Sequence, residues 1–155
     1  MACNGLHPRI GIFAIITDGE DRVLTGKRLN TLGTGQWGFP GGHLEQNEDF
    51  FTCVERETLE ETGLVVRGIK VVAVTNDKFP EAKKHYVTIF TKCVREDPTQ
   101  QPQCLESNKC EGWVWRSWGE VKAMANRDSG HEQLFLPMEN MVRENPHIDQ
   151  LISSI

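Results

Sequence analysis

The chain has 155 residues, 25% of them charged and 38% hydrophobic, and carries a formal net charge of −5. That composition is expected of one folded domain over residues 1–155, with a core over about 8–145, and it excludes a disordered chain. The acidic balance disfavours a nucleic-acid polymer as partner, but leaves free nucleotides open, because a metal ion can supply positive charge locally. Cys3, Cys53, Cys93, Cys104 and Cys110 are odd in number and form no C-x-x-C pair. Zinc and a disulfide framework are therefore disfavoured; Cys104 and Cys110 could meet in space, and free thiols in a reducing compartment are the expectation. The N-terminus MACNGLHPRIGIF lacks a basic region followed by a long apolar run. A cytoplasmic location and no membrane partner are expected.

In chain order, Arg9 to Thr17 is an apolar, β-branched run closed by Asp18-Gly19, which predicts a buried strand and a turn. Val23 to Arg28 predicts the return strand, and Asn30 to Gln36 a loop. Gly41-Gly42, following Pro40, predicts a tight bend that presents backbone groups at close range. Residues 48–62 read as a helix, with Glu48 and Asp49 in the first turn and Gly63 as a left-handed stop. Strands follow at Ile69–Thr75 and His85–Val94. The second alternates, with Tyr86, Thr88, Phe90 and Lys92 on one face and Val87, Ile89 and Thr91 on the other. Residues 96–109 predict a long loop, and Gly112 to Trp118 a strand with three of the four tryptophans, Trp113 and Trp115 sharing a face. A short helix at Val121–Ala125 and one at Pro137–Asn145 with proline in first position complete a mixed α/β pattern.

The helix over 48–62 poses a question. Phe50, Cys53 and Val54 begin an apolar stripe, and the next positions of that stripe are Glu57, Glu60 and Glu61. Residues three and four apart on a helix are neighbours, so the three carboxylates repel one another near the negative end of the helix dipole. Arg56 lies on another side. A solvated acidic face, a helix packed on a basic patch and a divalent cation site all remain open. Carboxylate oxygens suit hard Mg²⁺ or Mn²⁺, and the apolar half of the stripe favours that third reading.

Gly42, Glu48, Arg56-Glu57, Glu60-Glu61 and Gly63-Leu64 stand at fixed spacings across residues 42–64. This pattern resembles the box of the Nudix family, with Thr58 at a position usually hydrophobic, a departure expected to touch packing more than chemistry. The stretches VLTGKRLNTLGTG, FPGGHLE, HYVTI, KCEGWVW and QLFLPMENM are similar to the MutT-like members of plant cytosol and of human that cleave nucleoside triphosphates. The resemblance implies an α/β/α sandwich with a mixed central sheet, and Mg²⁺-dependent hydrolysis (Mn²⁺ as an alternative) of a nucleoside diphosphate linked to a group X. It implies Glu57 and Glu61 as metal ligands, Glu60 as a further ligand or the base for the attacking water, and the Gly42 carbonyl as another ligand. Glu48 would support the site or a second metal, and Arg56 would orient Glu57 through an ion pair.

The resemblance also suggests where X is read. Lys27 and Arg28 would reach the phosphates, His43 a phosphate or a base edge, and Thr88 the base. Phe135 and Leu136 lie where relatives place an aromatic pair; Leu136 stands in place of a tryptophan and leaves an apolar wall. Each has a bland reading as an exposed charge, a satisfied polar group, a strand residue or core packing. The resemblance further implies a homodimer. The expected activity is cleavage of purine deoxynucleoside triphosphates, oxidised dGTP among them, to monophosphate and pyrophosphate in nucleotide-pool sanitation. ADP-ribose, a dinucleotide or a prenyl diphosphate is the alternative, and a non-catalytic nucleotide-binding module is the alternative of another class.

Overall fold

A computed structural model describes residues 7–127, 130 and 132–155; Cys3 and the rest of the first six residues lie outside them. The apolar run Arg9–Ile16 is β1, buried from Gly11 onward. Its side chains divide by the two-residue period. Ile12, Ala14 and Ile16 join one apolar cluster with Cys53 and Val54, while Phe13 and Ile15 join a second with Trp118, Met124, Met138 and Ile152. A strand covered on both faces has no polar side, which is why the run is continuous rather than alternating.

β2 (Arg22–Arg28), β3 (Trp37–Gly38) and β4 (Gly41–His43) follow, then helix α1 (Phe50–Thr62). β5 (Val66–Phe79) and β6 (Lys84–Arg95) form a long hairpin, and β7 (Cys110–Ser117) leads into α2 (Trp118–Ala125), α3 (Leu136–Glu144) and α4 (Ile148–Ser153). The strands make two sheets, β4-β1-β6-β5 and β3-β2-β7. β1 and β6 run parallel, and every other named pair is antiparallel. The expected α/β class with a mixed central sheet is therefore observed in β4-β1-β6-β5, beside a smaller antiparallel sheet. An isolated bridge, Thr17 to Val23, joins the two sheets where β1 turns toward β2. α1 packs on the Ile12 side and α2, α3 and α4 on the Phe13 side.

The sequence pattern misplaces several boundaries. The hairpin strands reach beyond Thr75 and Val94, because Asn76, Asp77, Lys78 and Phe79 continue the pairing with Val87, Tyr86, His85 and Lys84. Trp118 opens α2 instead of ending a strand; the Ser117 hydroxyl accepts from Glu120 N–H and caps the helix. α1 begins at Phe50, so Glu48 precedes it and Asp49 is its cap residue. Phe50 is 42% exposed and does not start the buried stripe, which consists of Cys53, Val54, Thr58 and Thr62. Gly63 ends the helix at φ 75°, as expected. Lys92 shares a face with Phe90 yet is buried, because its ammonium donates to the carbonyls of Ile152 and Ile155 at the end of α4. Cys104 and Cys110 do approach, with the Cys104 thiol donating to the Cys110 carbonyl at 3.2 Å, and Cys53, Cys93, Cys104 and Cys110 are all free. Among the described residues no helix is long and apolar enough to cross a membrane.

Candidate active site

Gly41 and Gly42 do not form a bend. They lie in β4, paired with Phe13 and Ile12 of β1. Glycine is required there by close approach, not by turn geometry. A Cβ on Gly41 would fall 2.1 Å from the Ile12 carbonyl oxygen, and one on Gly42 2.3 Å from Cδ of Glu57. The pair thus lets α1 lay its carboxylates directly against the strand. Gly41 N–H donates to Glu61 Oε1 at 3.2 Å.

Glu57 and Glu61 occupy adjoining turns of α1 on the flank facing β4. Burial pushes the Glu57 carboxyl up, an effect opposed by the Arg56 guanidinium. Burial, followed by the charge of Glu57, pushes Glu61 well above the usual carboxylate range. Arg56 reaches around the helix instead of standing apart on its other side. It donates to Glu48 through Nε at 2.8 Å and Nη2 at 3.0 Å, and to Glu57 Oε1 through Nη1 at 2.9 Å. This forked contact, first among its causes, holds the Glu48 carboxyl down at about 2. Glu48 thereby fixes Arg56, and Arg56 fixes Glu57.

Glu60 is not brought to the cleft. Its side chain is 54% exposed and lies 3.6 Å from Arg56. The cavity of about 620 Å³ beside Glu57 and Glu61 is lined by two further carboxylates, Glu45 and, from the loop before β7, Glu106. Glu106 stands close enough to raise both neighbours. Sequence reasoning missed it, because nothing in a polar, proline-containing loop some forty residues from the helix signals a shared site. Among the described residues no three His, Cys, Asp or Glu side chains converge on one point as the side chains stand.

A smaller cavity of about 180 Å³ adjoins the first, sharing Arg28, Gly42 and His43 with it and adding Tyr86, Thr88, Phe135 and Pro137. Arg28 stands between the two. Its guanidinium lies 3.8 Å over the Phe135 ring, Nε donates to the Leu32 carbonyl, and burial lowers its pKa. Phe135 in turn stacks on Phe79 at 5.7 Å. His43 stacks on Tyr86 at 5.5 Å with Nε2 3.2 Å from its hydroxyl, and burial, then Arg9, Lys84 and Arg28, depresses its pKa. Lys27 points elsewhere, to Glu132 at 3.0 Å and Glu111 at 3.6 Å. Leu136 lines neither cavity; the residue after it, Pro137, lines the smaller one. Tyr86 was legible only as one position of an alternating strand.

The arrangement joins a carboxylate-lined trough, suited to cations and anionic oxygens, to a small cavity with aromatic and hydroxyl walls. A family model described as NUDIX domain matches residues 7–136. An RNA pyrophosphohydrolase of Teredinibacter turnerae is 36% identical over 72 residues, covering 46% of this chain and 40% of that protein. An ADP-ribose pyrophosphatase of Methanocaldococcus jannaschii is 31% identical over 84 residues, covering 54% and 49%. The match thus spans less than half the length of these two relatives. A solved MutT protein of Methanosarcina mazei Go1 has a TM-score of 0.75 at 20% identity, covering 92% of this chain and 96% of that one, a likeness of fold.

Proposed function

Since the chain belongs to the NUDIX family, we propose that it hydrolyses the diphosphate bond of purine deoxynucleoside triphosphates, oxidised dGTP among them, releasing nucleoside monophosphate and pyrophosphate. The observation that carries this reading is the position of Arg28. It stands between the trough of Glu57, Glu61 and Glu106 and the small cavity of Thr88 and Phe135. A diphosphate lying along the trough would meet the guanidinium at the point where the nucleoside turns into the small cavity. The plant-like and human-like stretches noted in the sequence support a nucleobase as the occupant of the small cavity.

The residues fit a divalent cation. Burial first, and neighbouring carboxylates after it, raise Glu57 and hold Glu61 well above the usual carboxylate range, and a hard cation removes that cost. Glu57, Glu61, Glu106 and the Gly42 carbonyl would hold Mg²⁺, with Mn²⁺ as the alternative. Such an ion supplies neutralisation of phosphate oxygens and a bound water of lowered pKa. The chain's own groups do the rest. Glu48 and Arg56 fix the Glu57 carboxylate, Gly41 N–H orients Glu61, and Arg28 binds the phosphate at the mouth of the small cavity. Glu60, outside the trough, would have to swing inward to ligate or to take a proton.

The test is product analysis by chromatography and mass spectrometry after incubation in Mg²⁺ with dGTP, oxidised dGTP, ADP-ribose or geranyl diphosphate. Monophosphate and pyrophosphate from the guanine nucleotides are expected. Preferential cleavage of ADP-ribose or geranyl diphosphate overturns the choice of X. Nucleotide binding without any turnover would make the chain a binding module. A second reading has one observation behind it. Arg9, Lys78, Lys83 and Lys84 rim a groove of about 480 Å³ that meets the small cavity at Tyr86, and X with further phosphates, as in the substrates of proteins named RNA pyrophosphohydrolase, would suit that rim. The net charge of −5 weighs against a long polymer. The resemblance also implies a homodimer; a monomer mass by light scattering at micromolar concentration overturns that.

A further inference from the structure

Asp77 is fully buried, on β5 opposite Tyr86. Its carboxylate gathers three donors. The Thr75 hydroxyl donates to Oδ2 at 3.0 Å, the Thr88 hydroxyl to the same oxygen at 2.5 Å, and Asn140 of α3 donates through Nδ2 to Oδ1 at 2.9 Å. Thr75 and Thr88 face each other across the hairpin, so both hydroxyls converge on one oxygen. A threonine hydroxyl has a single proton, and both hydroxyls spend theirs on Oδ2. The Thr88 proton is therefore committed to Asp77, and only the lone pairs of Thr88 Oγ1 remain for another partner.

Thr88 lines the small cavity. A Cβ placed on Gly11, another lining residue, would come within 3.8 Å of Thr88 Oγ1, so the hydroxyl borders the space that this glycine leaves open. We propose that Asp77 is a positioning residue that fixes Thr88 as a hydrogen-bond acceptor on the floor of this cavity, so that the site selects a nucleobase presenting N–H donors there, as the edge of guanine does, over one presenting a lone pair. Guanine carries adjacent ring N–H and amino donors; adenine offers a ring lone pair in place of that N–H. A floor that is an acceptor rewards the first and leaves two lone pairs facing each other with the second. The inference rests on the nucleotide reading above and names what distinguishes one purine from another within it.

The experiment compares kcat/KM for dGTP and dATP, and calorimetric Kd for dGMP and dAMP, in the wild type and in Asp77→Asn. The amide keeps the shape of the side chain. With its oxygen toward Asn140, its Nδ2 donates to the hydroxyls and frees the Thr88 proton to point into the cavity. The guanine-over-adenine ratio is expected to fall by at least about tenfold, with dATP turnover kept or raised. Thr88→Val should lose the same preference and Thr88→Ser keep it, and Asp77→Asn should change nothing further on the Val background. Equal losses for both substrates would reduce Asp77 to a tie between α3 and β5, and would overturn the inference. A wild type without guanine preference, in turnover or in binding, overturns it too. If Asp77→Asn does not fold, the two Thr88 variants decide: a Val variant that keeps the ratio overturns the inference. Guanine preference in binding with no turnover of either triphosphate sinks the hydrolase reading alone.

Discussion

The carboxylate of Glu57 occupies the place where a side chain on Gly42 would begin, with Cδ 2.3 Å from the Cβ position and both oxygens within 2.5 Å. Gly42→Ala must therefore push Glu57 off its contact with Arg56. Overpacking of this kind costs about 1–3 kcal/mol. Turnover should fall further than stability does, by about 10- to 100-fold, because the displaced group belongs to the site. Thermal unfolding and steady-state kinetics on the same sample check this; a variant with wild-type turnover would separate Glu57 from the chemistry.

Glu61→Gln should stabilise the cation-free protein and inactivate it. The folded-state pKa of Glu61 is raised, by burial first and Glu57 second, so the folded protein binds the extra proton. The stabilising proton is fully present below the ordinary 4.5 and is lost as pH rises through the raised value. The thermal midpoint of the wild type without added metal should fall across that window. Glu61→Gln should lack the fall, and added Mg²⁺ should offset it in the wild type alone. Full turnover in Mg²⁺ by Glu57→Ala and by Glu61→Ala would remove both from the proposed cation site.

Arg56→Lys keeps the charge and loses the fork on Glu48 and the reach to Glu57. Turnover should fall by about 10- to 100-fold, the usual consequence of losing a residue that orients a ligand. The sign of the pH effect is opposite to that of Glu61. Glu48 is depressed to about 2 from 4.5, so its contribution is complete above 4.5 and lost as pH falls toward 2. Acid unfolding profiles of the wild type and Glu48→Gln should converge in that interval and differ above it. Parallel curves throughout would remove the pair from the acid limb.

Thr58→Val should raise stability by about 1 kcal/mol, since the Thr58 hydroxyl is buried with no hydrogen-bond partner among the described residues. The Thr58 carbonyl accepts from the Thr62 hydroxyl, a contact the substitution leaves in place. Denaturant midpoints measure this. A destabilised valine variant would indicate a partner for the hydroxyl in solution.

The sequence determined what depends on local spacing. The buried run Arg9–Ile16, the left-handed stop at Gly63, the proline in the first turn of α3 and the separation of Phe90 from Ile89 onto opposite faces all follow from periods of two and 3.6 residues and from glycine and proline chemistry. The passage of the α1 stripe from the apolar Cys53 and Val54 to the carboxyls of Glu57 and Glu61 was legible for the same reason. Tertiary structure alone decided which of those carboxyls face the trough. Glu60 lies one residue from Glu61, yet β4 packs against the flank of Glu57 and Glu61 and leaves Glu60 exposed beside Arg56, while Glu106 arrives from a distant loop. It also decided that Gly41 and Gly42 are a strand, because pairing with β1 and contact with Glu57 are long-range events that a Pro-Gly-Gly string does not record. The Asp77 carboxylate gains its meaning only when the hairpin sets Thr75 opposite Thr88 and α3 supplies Asn140. Local propensity fixes which elements form; the pairing of elements far apart in the chain fixes which side chains share a charge, a proton or a cavity.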